Sequence, residues 1–562
     1  MTILNARRKF LRNFSVGTVA VSTLPLTACG GGDGAVDRQV AFAHGVASGD
    51  PLSDRVILWT RVTALGTEDL EADWAVADDS AFSKIVTSGT VRFGAGADFT
   101  VKVDATGLAA NKSYYYRFTC RGVTSPVGRT RTLPTGTVAR ARFAVFSCTN
   151  YPAGVFNVYG DAAKFDDIDV GLHLGDYIYE YAAGGYASQD AASLGRTSQP
   201  ANEIITLTDY RRRYQQYRTD PDLQAVHARI PFITVWDDHE LANDAWTGGA
   251  ENHDPATEGL WLGRRQMAIQ AYHEWMPIRT PDAARPDRIY RSFDFGNLLS
   301  LHMLDTRVIG RDKQLAYASY VGADRTFNAA AFTADVSNPT RQMMGAEQTT
   351  WLQGQMSKST ATWQVLGQQV LMARMNLPAP MVLGTTGYPA YFAIAAKVQA
   401  GVALTAAEQQ LLTATPVPYN LDAWDGYQAA RETVLNMART LNKNLVVLAG
   451  DTHNAWASDL ADTSGRAVGV EFGVPSVTSP GFETYFPTIA PTTVASGLEQ
   501  LIGPLQYAET ISRGFMVLTV TPTETKAEYR YVDTIKTRTY TAKVGKTLRT
   551  LPGAANRKLI LA

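Results

Sequence analysis

Five short polar clusters in this sequence each follow directly on an apolar run. They are Ser147-Cys148, Gly175-Asp176, Asp237-Asp238-His239, Asp305-Thr306-Arg307 and Gly450-Asp451-Thr452-His453-Asn454. Carboxylates, imidazoles and thiolates are the side chains with which proteins bind metal ions. Because ligand sites in open α/β sheets form at the carboxyl ends of strands, the pattern predicts that these side chains meet at one edge of a sheet.

The segment 170–180 shows this pattern most clearly. An apolar run, 170–174, ends in Gly175 and Asp176, and Tyr179 follows three residues later. A short apolar run bounded by glycine is typical of a buried central strand. The segment therefore predicts a strand that delivers a metal site, although Gly-Asp-x-x-Tyr alone would equally fit a turn with a capping Asp and a packed Tyr.

Hydrolysis by a pair of metal ions requires a bridging carboxylate, further ligands for each ion and a general acid near the leaving group. Asp176 is the candidate bridge. Tyr179 as a phenolate, Cys148 as a thiolate and His453 could complete the shell of one ion, and an anionic phenolate favours ferric iron. Asp451, two residues before His453, indicates the second ion.

The densest polar cluster of the chain is the segment 237–244, directly after an apolar run. Asp238 is the candidate ligand of the second ion. His239 is better suited to act as a general acid or phosphate-contacting group, because some group must stabilise the departing oxygen. Asn243 and Asp237 are candidate secondary ligands or residues that orient ligands. An Asp-Asp-His run alone would equally fit a solvated loop or a helix cap.

Two further polar residues follow predicted strands. Arg307, with Asp305 beside it, could either orient ligands or bind phosphate, and Asn454 is a candidate for the same supporting roles. The residues predicted to act in catalysis itself are His239, Asp176 and Asp238.

The segments between these clusters alternate apolar strands with helical or loop-rich stretches, as expected of an α/β layer architecture. Residues 40–135 instead show short alternating strands separated by turns, which predicts a small antiparallel β-sandwich. Two segments, 308–346 and 377–424, are long for connections and could form a rim or lid, and 390–414 has the spacing of a helix or helix pair. The strands predicted beyond the sandwich are 142–146, 170–174, 232–236, 297–304 and 444–448.

Composition excludes several classes of protein. The chain has 562 residues, with 52 Lys and Arg against 53 Asp and Glu, so no basic nucleic-acid-binding surface is predicted. Aromatic residues make up 10% and charged residues 19%, which argues against disorder. Apart from Cys29, the chain contains Cys120 and Cys148, which could form one disulfide or remain separate thiols.

The amino terminus carries a twin-arginine pattern at 7–8 and a weakly apolar segment up to Ala28, which is too short and polar for a stable transmembrane helix. It resembles a bacterial signal for export by the twin-arginine machinery, which implies a location in the periplasm or at the cell surface. Leu26-Thr27-Ala28-Cys29 resembles a lipoprotein cleavage box, so a lipidated Cys29 would anchor the protein to a membrane. The alternative is ordinary cleavage after Ala28.

As a set, five motifs resemble those of the PhoD-type alkaline phosphatases, which are related to the purple acid phosphatases among the calcineurin-like metallophosphoesterases. They occur in the order of that family and span most of the chain. The motifs are 42–51 (FAHGVASGDP), Ser147-Cys148, 175–180 (GDYIYE), 236–244 (WDDHELAND) and 450–453 (GDTH).

The resemblance implies an N-terminal antiparallel β-sandwich followed by a four-layer αββα metallophosphoesterase domain. The expected limits are 1–29 for the signal, 40–135 for an immunoglobulin-like or fibronectin-like sandwich, 140–540 for the catalytic domain and 541–562 for a C-terminal tail.

The resemblance also implies the metals, in a site for two or three ions. Calcium fits the oxygen-rich second half of the site on chemical grounds too, since a hard cation of that size takes carboxylate and amide oxygens. Fe³⁺ would be held by Cys148, Asp176, Tyr179 and His453. Ca²⁺ would share Asp176 and use Asp238, Asp451 and Asn243.

The function predicted from the residues and the resemblance together is hydrolysis of small phosphate esters by attack of a metal-bound hydroxide on phosphorus, releasing inorganic phosphate. Monoesters are the expected substrates, with diesters as further ones. One alternative is a phosphodiesterase of phospholipase D type. The other is a non-catalytic surface protein in which the motifs hold a structural metal.

Overall fold

Two large β-sheets, of ten and seven strands, lie at the centre of the computed structural model, which describes residues 40–280 and 282–561. The amino-terminal strands are β1 (Val40–Ala41), β2 (Val46–Gly49), β3 (Arg55–Arg61), β4 (Thr63–Ala64), β5 (Leu70–Ala77), β6 (Ile85–Phe93), β7 (Thr100–Thr106), β8 (Ser113–Cys120), β9 (Val123–Thr124) and β10 (Gly128–Arg131). The strands that follow are β11 (Ala141–Phe146), β12 (Val170–His173), β13 (Phe232–Thr234), β14 (Arg291–Phe295), β15 (Leu299–Met303), β16 (Trp363–Gln368), β17 (Asn376–Pro378), β18 (Pro416–Pro418), β19 (Asn444–Ala449), β20 (Ala455–Ala461), β21 (Ala467–Gly473), β22 (Leu505–Glu509), β23 (Arg513–Val520), β24 (Thr525–Val532), β25 (Ala542–Thr550) and β26 (Ile560–Leu561). The twin-arginine pattern and Cys29 lie outside the described residues.

Parallel strands form the middle of each large sheet. The ten-stranded sheet has the order β26-β25-β24-β23-β11-β12-β13-β2-β3-β7, and β11, β12 and β13 in it run parallel. The seven-stranded sheet has the order β14-β15-β16-β19-β21-β20-β22, and β15, β16, β19 and β21 in it run parallel. Parallel neighbours end at the same edge of a sheet, so the loops that follow them converge.

The amino-terminal strands divide between two sheets. β5, β6, β8, β9 and β10 form an antiparallel sheet of five strands, whereas β2, β3 and β7 form one edge of the ten-stranded sheet. The two layers enclose an apolar core that includes Val56, Leu58 and Phe118. The predicted β-sandwich is therefore present, and one of its sheets continues into the catalytic sheet.

The junction between β2 and β13 depends on a glycine. Gly49 of β2 pairs in parallel with Phe232 of β13. A Cβ atom at Gly49 would lie 2.1 Å from the carbonyl oxygen of Pro277 and 2.6 Å from that of Phe232. Because both neighbours are backbone atoms, any larger residue would force the two strands apart.

Helices cover the outer faces of both sheets. The helices are α1 (Asn157–Ala162), α2 (Leu207–Tyr217), α3 (Pro221–Arg229), α4 (Pro255–Glu258), α5 (Trp261–Trp275), α6 (Ala329–Val336), α7 (Gly345–Lys358), α8 (Ala379–Val382), α9 (Tyr388–Gln399), α10 (Ala406–Leu412), α11 (Gln428–Thr440) and α12 (Pro491–Leu501). Apolar residues of α1, α2, α3 and α5 pack on the ten-stranded sheet, and those of α7, α9, α11 and α12 pack on the seven-stranded sheet. Among residues 40–280 and 282–561, none of these helices has both the length and the apolar character needed to cross a bilayer.

Strand β11 shows how the layers are built. Phe143 and Val145 belong to the core between the two sheets, whereas Ala144 and Phe146 belong to the core under the outer helices. Successive side chains of a strand point to opposite faces, so a strand covered on both faces is apolar throughout. The predicted fold class, a β-sandwich followed by a four-layer αββα domain, is confirmed.

All five strands predicted beyond the sandwich are present, as β11, β12, β13, β15 and β19. The segment 390–414 forms the pair α9 and α10. The segment 541–562 differs from its prediction as a tail, because β25 and β26 within it are part of the ten-stranded sheet. Cys120 and Cys148 are separate, buried thiols. The expected domain limits stay predictions.

Candidate metal centre

The loops after β11, β12, β13 and β19 bring two sets of ligand groups together. One ligand atom from each of Cys148, Asp176 and His453 lies within 4.8 Å of the others, and the same holds within the set of four carboxylates that includes Asp176. We call the first set, with the adjacent phenol, the mixed-ligand group: Cys148, Asp176, Tyr179 and His453. We call the second set the carboxylate group: Asp176, Asp237, Asp238 and Asp451. Asp176 belongs to both groups, as predicted for a bridging ligand.

Four of these residues adopt a left-handed backbone conformation. Cys148, Asp176, Asp451 and His453 have φ angles of 60°, 57°, 61° and 61°. A residue with a side chain pays about 1–3 kcal/mol for this conformation, so it persists only where the surrounding structure imposes it. The strained turns direct the side chains that follow three different strands toward one point.

The turn after β12 also requires a glycine. Gly175 has a φ of 108°, and a Cβ atom there would lie 2.4 Å from the Cβ atom of Asp237. The loops that carry Asp176 and Asp237 can therefore approach this closely only because residue 175 has no side chain.

Tyr179 lies at the centre of the mixed-ligand group. Its hydroxyl donates to Asp176 Oδ2 at 2.9 Å and lies 3.1 Å from His453 Nε2. Ser479, which the sequence analysis did not single out, donates to the Tyr179 hydroxyl at 2.6 Å. The phenol oxygen, a carboxylate oxygen and an imidazole nitrogen are thus arranged around one position, with the Cys148 thiol close to the same carboxylate.

Backbone contacts fix the tautomer of His453. Its Nδ1 lies 3.0 Å from the carbonyl oxygen of Pro480 and 3.1 Å from the Tyr186 hydroxyl. Because a carbonyl oxygen only accepts, Nδ1 carries the proton and donates it there. Nε2 therefore keeps its lone pair on the side of Tyr179 and Asp176, as a metal-binding histidine requires.

Burial changes the acidity of the mixed-ligand group. It raises the pKa of the Cys148 thiol and of the Tyr179 phenol well above their ordinary values, and the negative charge of Asp176 adds to the effect. Burial likewise raises the pKa of the Asp176 carboxyl. A cation among these groups favours their anionic forms, so binding would release protons.

Arg307 faces the carboxylate group. Its Nε donates to Asp237 Oδ1 at 2.5 Å, and its Nη2 lies 3.6 Å from Asp238 Oδ1 and 3.9 Å from Asp451 Oδ1. The side chain is fully buried. Arg307 therefore lies buried among carboxylates, a position that favours the orienting role over contact with phosphate.

Two buried carboxylate oxygens that accept no hydrogen bond from the described residues indicate that cations fit this site. The Oδ1 atoms of Asp176 and Asp238 are buried, and neither accepts a hydrogen bond from the described residues. Buried carboxylate oxygens are normally paired, because leaving them unpaired costs about 1–3 kcal/mol or more. The carboxylate group also brings four carboxyl groups together around the single positive charge of Arg307, so the donor set matches the needs of positively charged ions.

His239 is held by a carboxylate that the sequence analysis missed. Its Nδ1 lies 2.7 Å from Glu180 Oε2, and its ring stacks on Tyr179 with centroids 4.2 Å apart. Burial lowers the pKa of His239, but the charges of Glu180, Asp238 and Asp176 outweigh it and raise that pKa well above its ordinary value. The hydrogen bond to Glu180 and the raised pKa both favour the protonated form of His239, the form that a general acid requires.

Glu180 also holds the loops on either side of His239. Its Oε1 accepts from the backbone N–H of Asn243 at 2.8 Å and from the side-chain amide of Asn252 at 2.9 Å. Burial raises the pKa of Glu180, but His239 and these donors lower it below its ordinary value. The signal in the sequence was a lone carboxylate within the aromatic run 177–181, where an ion has to be paired.

Glu240 joins the loops after β12 and β13. Its carboxylate accepts from the backbone N–H groups of Asp176 at 3.0 Å, Tyr177 at 2.5 Å and Asp237 at 2.8 Å. Burial nevertheless raises its pKa to about 7. The residue fixes the backbone on which the shared ligand sits, and the sequence analysis assigned it no role.

The other predicted residues have supporting positions. Asn243 lies on the wall of the cleft, and its Oδ1 accepts from the Tyr181 hydroxyl at 3.2 Å. Both ends of the Asn454 side chain bind backbone groups, with its amide donating to the carbonyl of Thr452 and its oxygen accepting from the N–H of Phe482. Asp305 accepts from the three backbone N–H groups of 307–309 and so shapes the turn that carries Arg307.

A cleft of about 910 Å³ opens onto the site. His239, Asn243 and His453 lie on its lining, with Tyr181 and Tyr186 beside them. The opposite wall comes from 478–487 and 511–543, and it includes β23 and β24 residues. The segments 308–346 and 377–424, expected to form a rim or lid, contribute none of the described residues that line this cleft.

Comparisons with known proteins agree with this geometry. A family model described as "PhoD-like phosphatase" matches residues 143–529, and one described as "PhoD-like phosphatase, N-terminal domain" matches residues 30–134. The chain is 36% identical over 549 residues to "Alkaline phosphatase D" of Bacillus subtilis (strain 168), which covers 93% of this chain and 84% of that protein. It is similar to the solved "Structure of PhoD", with a TM-score of 0.75 and 35% identity over 93% of this chain and 92% of that one. The range 143–529 contains every residue of both ligand groups.

Proposed function

This chain belongs to the PhoD-like phosphatase family and is a metal-dependent phosphatase that hydrolyses phosphate esters; from that premise we propose which metals it holds and how its residues act. Membership of the family makes the chain an enzyme, which removes the alternative of a non-catalytic surface protein. The proposal rests on the position of Asp176, a buried carboxylate that is shared by two ligand groups of different chemistry.

The mixed-ligand group is suited to Fe³⁺, held by Cys148, Asp176, Tyr179 and His453. A phenolate and a thiolate are strongly anionic donors, and a cation of high charge is needed to hold them deprotonated against the burial that raises their pKa values. The tautomer of His453 supports the same assignment, since its unprotonated Nε2 faces this position.

The carboxylate group is suited to Ca²⁺. Oxygen donors are the ligands of hard divalent cations, and Asp238 and Asp451 supply them in the group that shares Asp176 but does not include the thiol. Asn243 is a further ligand in this proposal. One or two calcium ions would accordingly accompany the iron.

When bound, the ions supply positive charge that neutralises the phosphoryl oxygens and makes a water acidic enough to attack phosphorus. The chain contributes the rest. Asp176 and Asp238 hold the charge in place, Asn243 lies beside the cleft, and the protonated His239 gives a proton to the departing ester oxygen. Without a covalent phosphoenzyme, a substrate with a chiral phosphorus should react with inversion, and net retention would contradict the mechanism.

The experiment that tests the metals is elemental analysis of the purified enzyme together with its visible spectrum. Tyrosinate bound to ferric iron absorbs visible light, so the proposal expects a coloured protein that contains iron and calcium. A colourless, iron-free and fully active enzyme would overturn the roles of Tyr179 and Cys148.

Diesters with large organic groups are a second candidate substrate class. The cleft of about 910 Å³ is far larger than one phosphate group, and Tyr181, Tyr186 and Ile511 give its walls an aromatic and apolar character. Rates with an aryl phosphate, its bis-aryl diester and phosphatidylcholine distinguish a monoesterase from a phosphodiesterase of phospholipase D type. A monoester rate far above both others would exclude the second candidate.

Export and anchoring complete the proposal. The twin-arginine pattern at 7–8 and the box that ends in Cys29 support transport by the twin-arginine machinery to the periplasm or cell surface, with a lipid anchor. Replacing both arginines with lysine should keep the enzyme inside the cell. Cys29→Ser should leave the protein exported but free of labelled fatty acid, and unchanged labelling would contradict lipidation.

A further inference from the structure

The Arg307 guanidinium is fixed from two sides. Nε donates to Asp237 at 2.5 Å and Nη1 donates to Asp422 Oδ2 at 2.7 Å. The third nitrogen, Nη2, faces Asp238 and Asp451 without forming a hydrogen bond to either. Two nitrogens of the planar group therefore set the orientation of the third, which is directed at the two carboxylates proposed to bind calcium.

Asp422 is itself held in place by a second arginine, Arg311. It lies at the far end of the segment 377–424, and Arg311 Nη2 donates to its Oδ1 at 2.5 Å and to its backbone carbonyl at 2.6 Å. Arg311 Nη1 donates to the carbonyl of Thr306, one residue before Arg307. Side chains of alternating charge thus form one buried row, Arg311, Asp422, Arg307 and the carboxylate group.

Removing the charge of Asp422 would release one side of Arg307. The guanidinium, still held by Asp237, would turn toward Asp238 and Asp451, because a buried charge that loses one partner moves closer to those that remain. Nη2 would then hydrogen-bond the same oxygens that a metal ion needs, from which it now lies 3.6 Å and 3.9 Å away. Asp422 thus keeps Arg307 Nη2 3.6 Å from Asp238 Oδ1 and 3.9 Å from Asp451 Oδ1, close enough to orient the two carboxylates but too far to hydrogen-bond them.

We propose that Asp422 and Arg311 are positioning residues of the metal centre, which act on Asp238 and Asp451 through Arg307. The inference rests on the proposed metal centre. It also gives the segments 308–346 and 377–424 a role in supporting the metal centre, since the first supplies Arg311 and the second supplies Asp422.

The test is chelator titration of the full-length holoenzyme. Wild type and variants are incubated with increasing EGTA, desalted and analysed for bound calcium. Asp422→Asn keeps the shape of the side chain, and we expect it to lose half of its calcium at about 10–100-fold lower EGTA than wild type. Excess calcium should restore kcat, with KM for an aryl phosphate unchanged. The matched control is Glu408→Gln, which removes the charge from the partly buried Lys397–Glu408 pair in the same segment and should match wild type.

Arg311→Gln separates positioning from simple charge. It removes a positive charge from the row, so electrostatics alone would tighten the binding of a cation. Positioning predicts the opposite, a release of calcium at about tenfold lower EGTA, because Asp422 loses its support. Arg307 and Asp422 remain paired in this variant, so it also decides the question if Asp422→Asn does not fold.

Two results overturn the inference, and they differ in what else they overturn. If both variants release calcium at the same EGTA concentration as wild type, or if Arg311→Gln binds calcium more tightly, only the positioning roles are wrong. If the wild-type enzyme contains no divalent cation, the proposed metal centre is wrong and this inference fails with it.

Discussion

The two halves of the metal centre hold negative charge in a buried place by different means. In the mixed-ligand group, the Cys148 thiol and the Tyr179 phenol are neutral until a cation is present, because burial raises their pKa values. In the carboxylate group, Arg307 is a permanent positive charge, and it lowers the pKa of Asp238 below its ordinary value although burial raises it. The thiol and the phenol of the first half therefore acquire their charge with the metal, whereas Asp238 of the second half carries its charge beforehand.

This difference in how the two halves carry negative charge indicates which cation each half can select. A group that must lose protons on binding favours a strongly polarising ion and binds it more tightly as pH rises. A carboxylate group balanced by an arginine suits a divalent ion that exchanges more readily. The iron should thus remain with the protein through purification, while calcium should depend on its concentration in the buffer.

The largest expected effect comes from the residue that both halves share. Asp176→Asn keeps the shape of the side chain and removes the charge, so kcat/KM for an aryl phosphate should fall by at least about 10³-fold. Iron and calcium content should both fall, as measured by elemental analysis. Asp166→Asn, at a carboxylate whose side chain is 80% exposed, is the control and should behave as wild type. Normal metal content with normal rates would show that Asp176 is not a bridge.

A pair of variants should separate the two halves. Tyr179→Phe should abolish visible absorption and leave calcium in place, whereas Asp238→Asn should lose calcium and keep the colour. Each should lower kcat by about 10²–10³-fold, because one set of charges on the phosphoryl group is lost. Spectra and metal analysis of both proteins provide the measurement. If either variant loses both metals, the halves are not independent.

Glu180→Gln tests whether His239 serves the leaving group rather than a metal. The variant should lower kcat/KM by about 10–100-fold for an alkyl phosphate, whose leaving group needs a proton, and much less for 4-nitrophenyl phosphate. Metal content should stay at the wild-type level. An equal loss with both substrates would mean that Glu180 only stabilises the fold around Asn243 and Asn252.

The smallest effect concerns the protein stripped of metal. The folded-state pKa of Cys148 is raised, so the thiol contributes stability below its ordinary pKa of 9.0, and this stability is lost as pH rises above that value. The loss should approach about 1.4 kcal/mol per pH unit. Thermal denaturation of chelator-treated enzyme between pH 8 and 10 measures it. Cys148→Ala should show a shallower decline, and identical slopes would contradict the assignment.

The sequence predicted the strand ends of the site because local signals mark them. An apolar run that stops at Gly175-Asp176 or at Asp237-Asp238 shows both the strand and the ligand that follows it. The central place of Asp176 between two ligand groups could be predicted in the same way. Its geometry agrees with the prediction, since Asp176 belongs to both ligand groups.

The residues that support the ligands could not be predicted, because their partners are remote in the sequence. Glu180 contacts His239, which lies 59 residues later in the sequence. Asp422 contacts Arg307, which lies 115 residues earlier. Nothing in the local pattern shows which buried carboxylate pairs with which cation. The wall of the cleft was missed for a related reason, since β23 and β24 come from a segment with no motif of its own.

The order of strands in the ten-stranded sheet has a consequence for how the protein is made. One edge, β2, β3 and β7, is synthesised first, and the other, β23 to β26, is synthesised last, while β11, β12 and β13 lie between them. Contacts so distant in sequence form slowly, because a long loop must close before they contribute. A nascent chain that lacks residues 513–561 would leave β11 as an open strand edge, which is prone to aggregation. We therefore expect the ten-stranded sheet to be completed only after β23 has been synthesised. Chains that end before β23 should need chaperones to remain soluble.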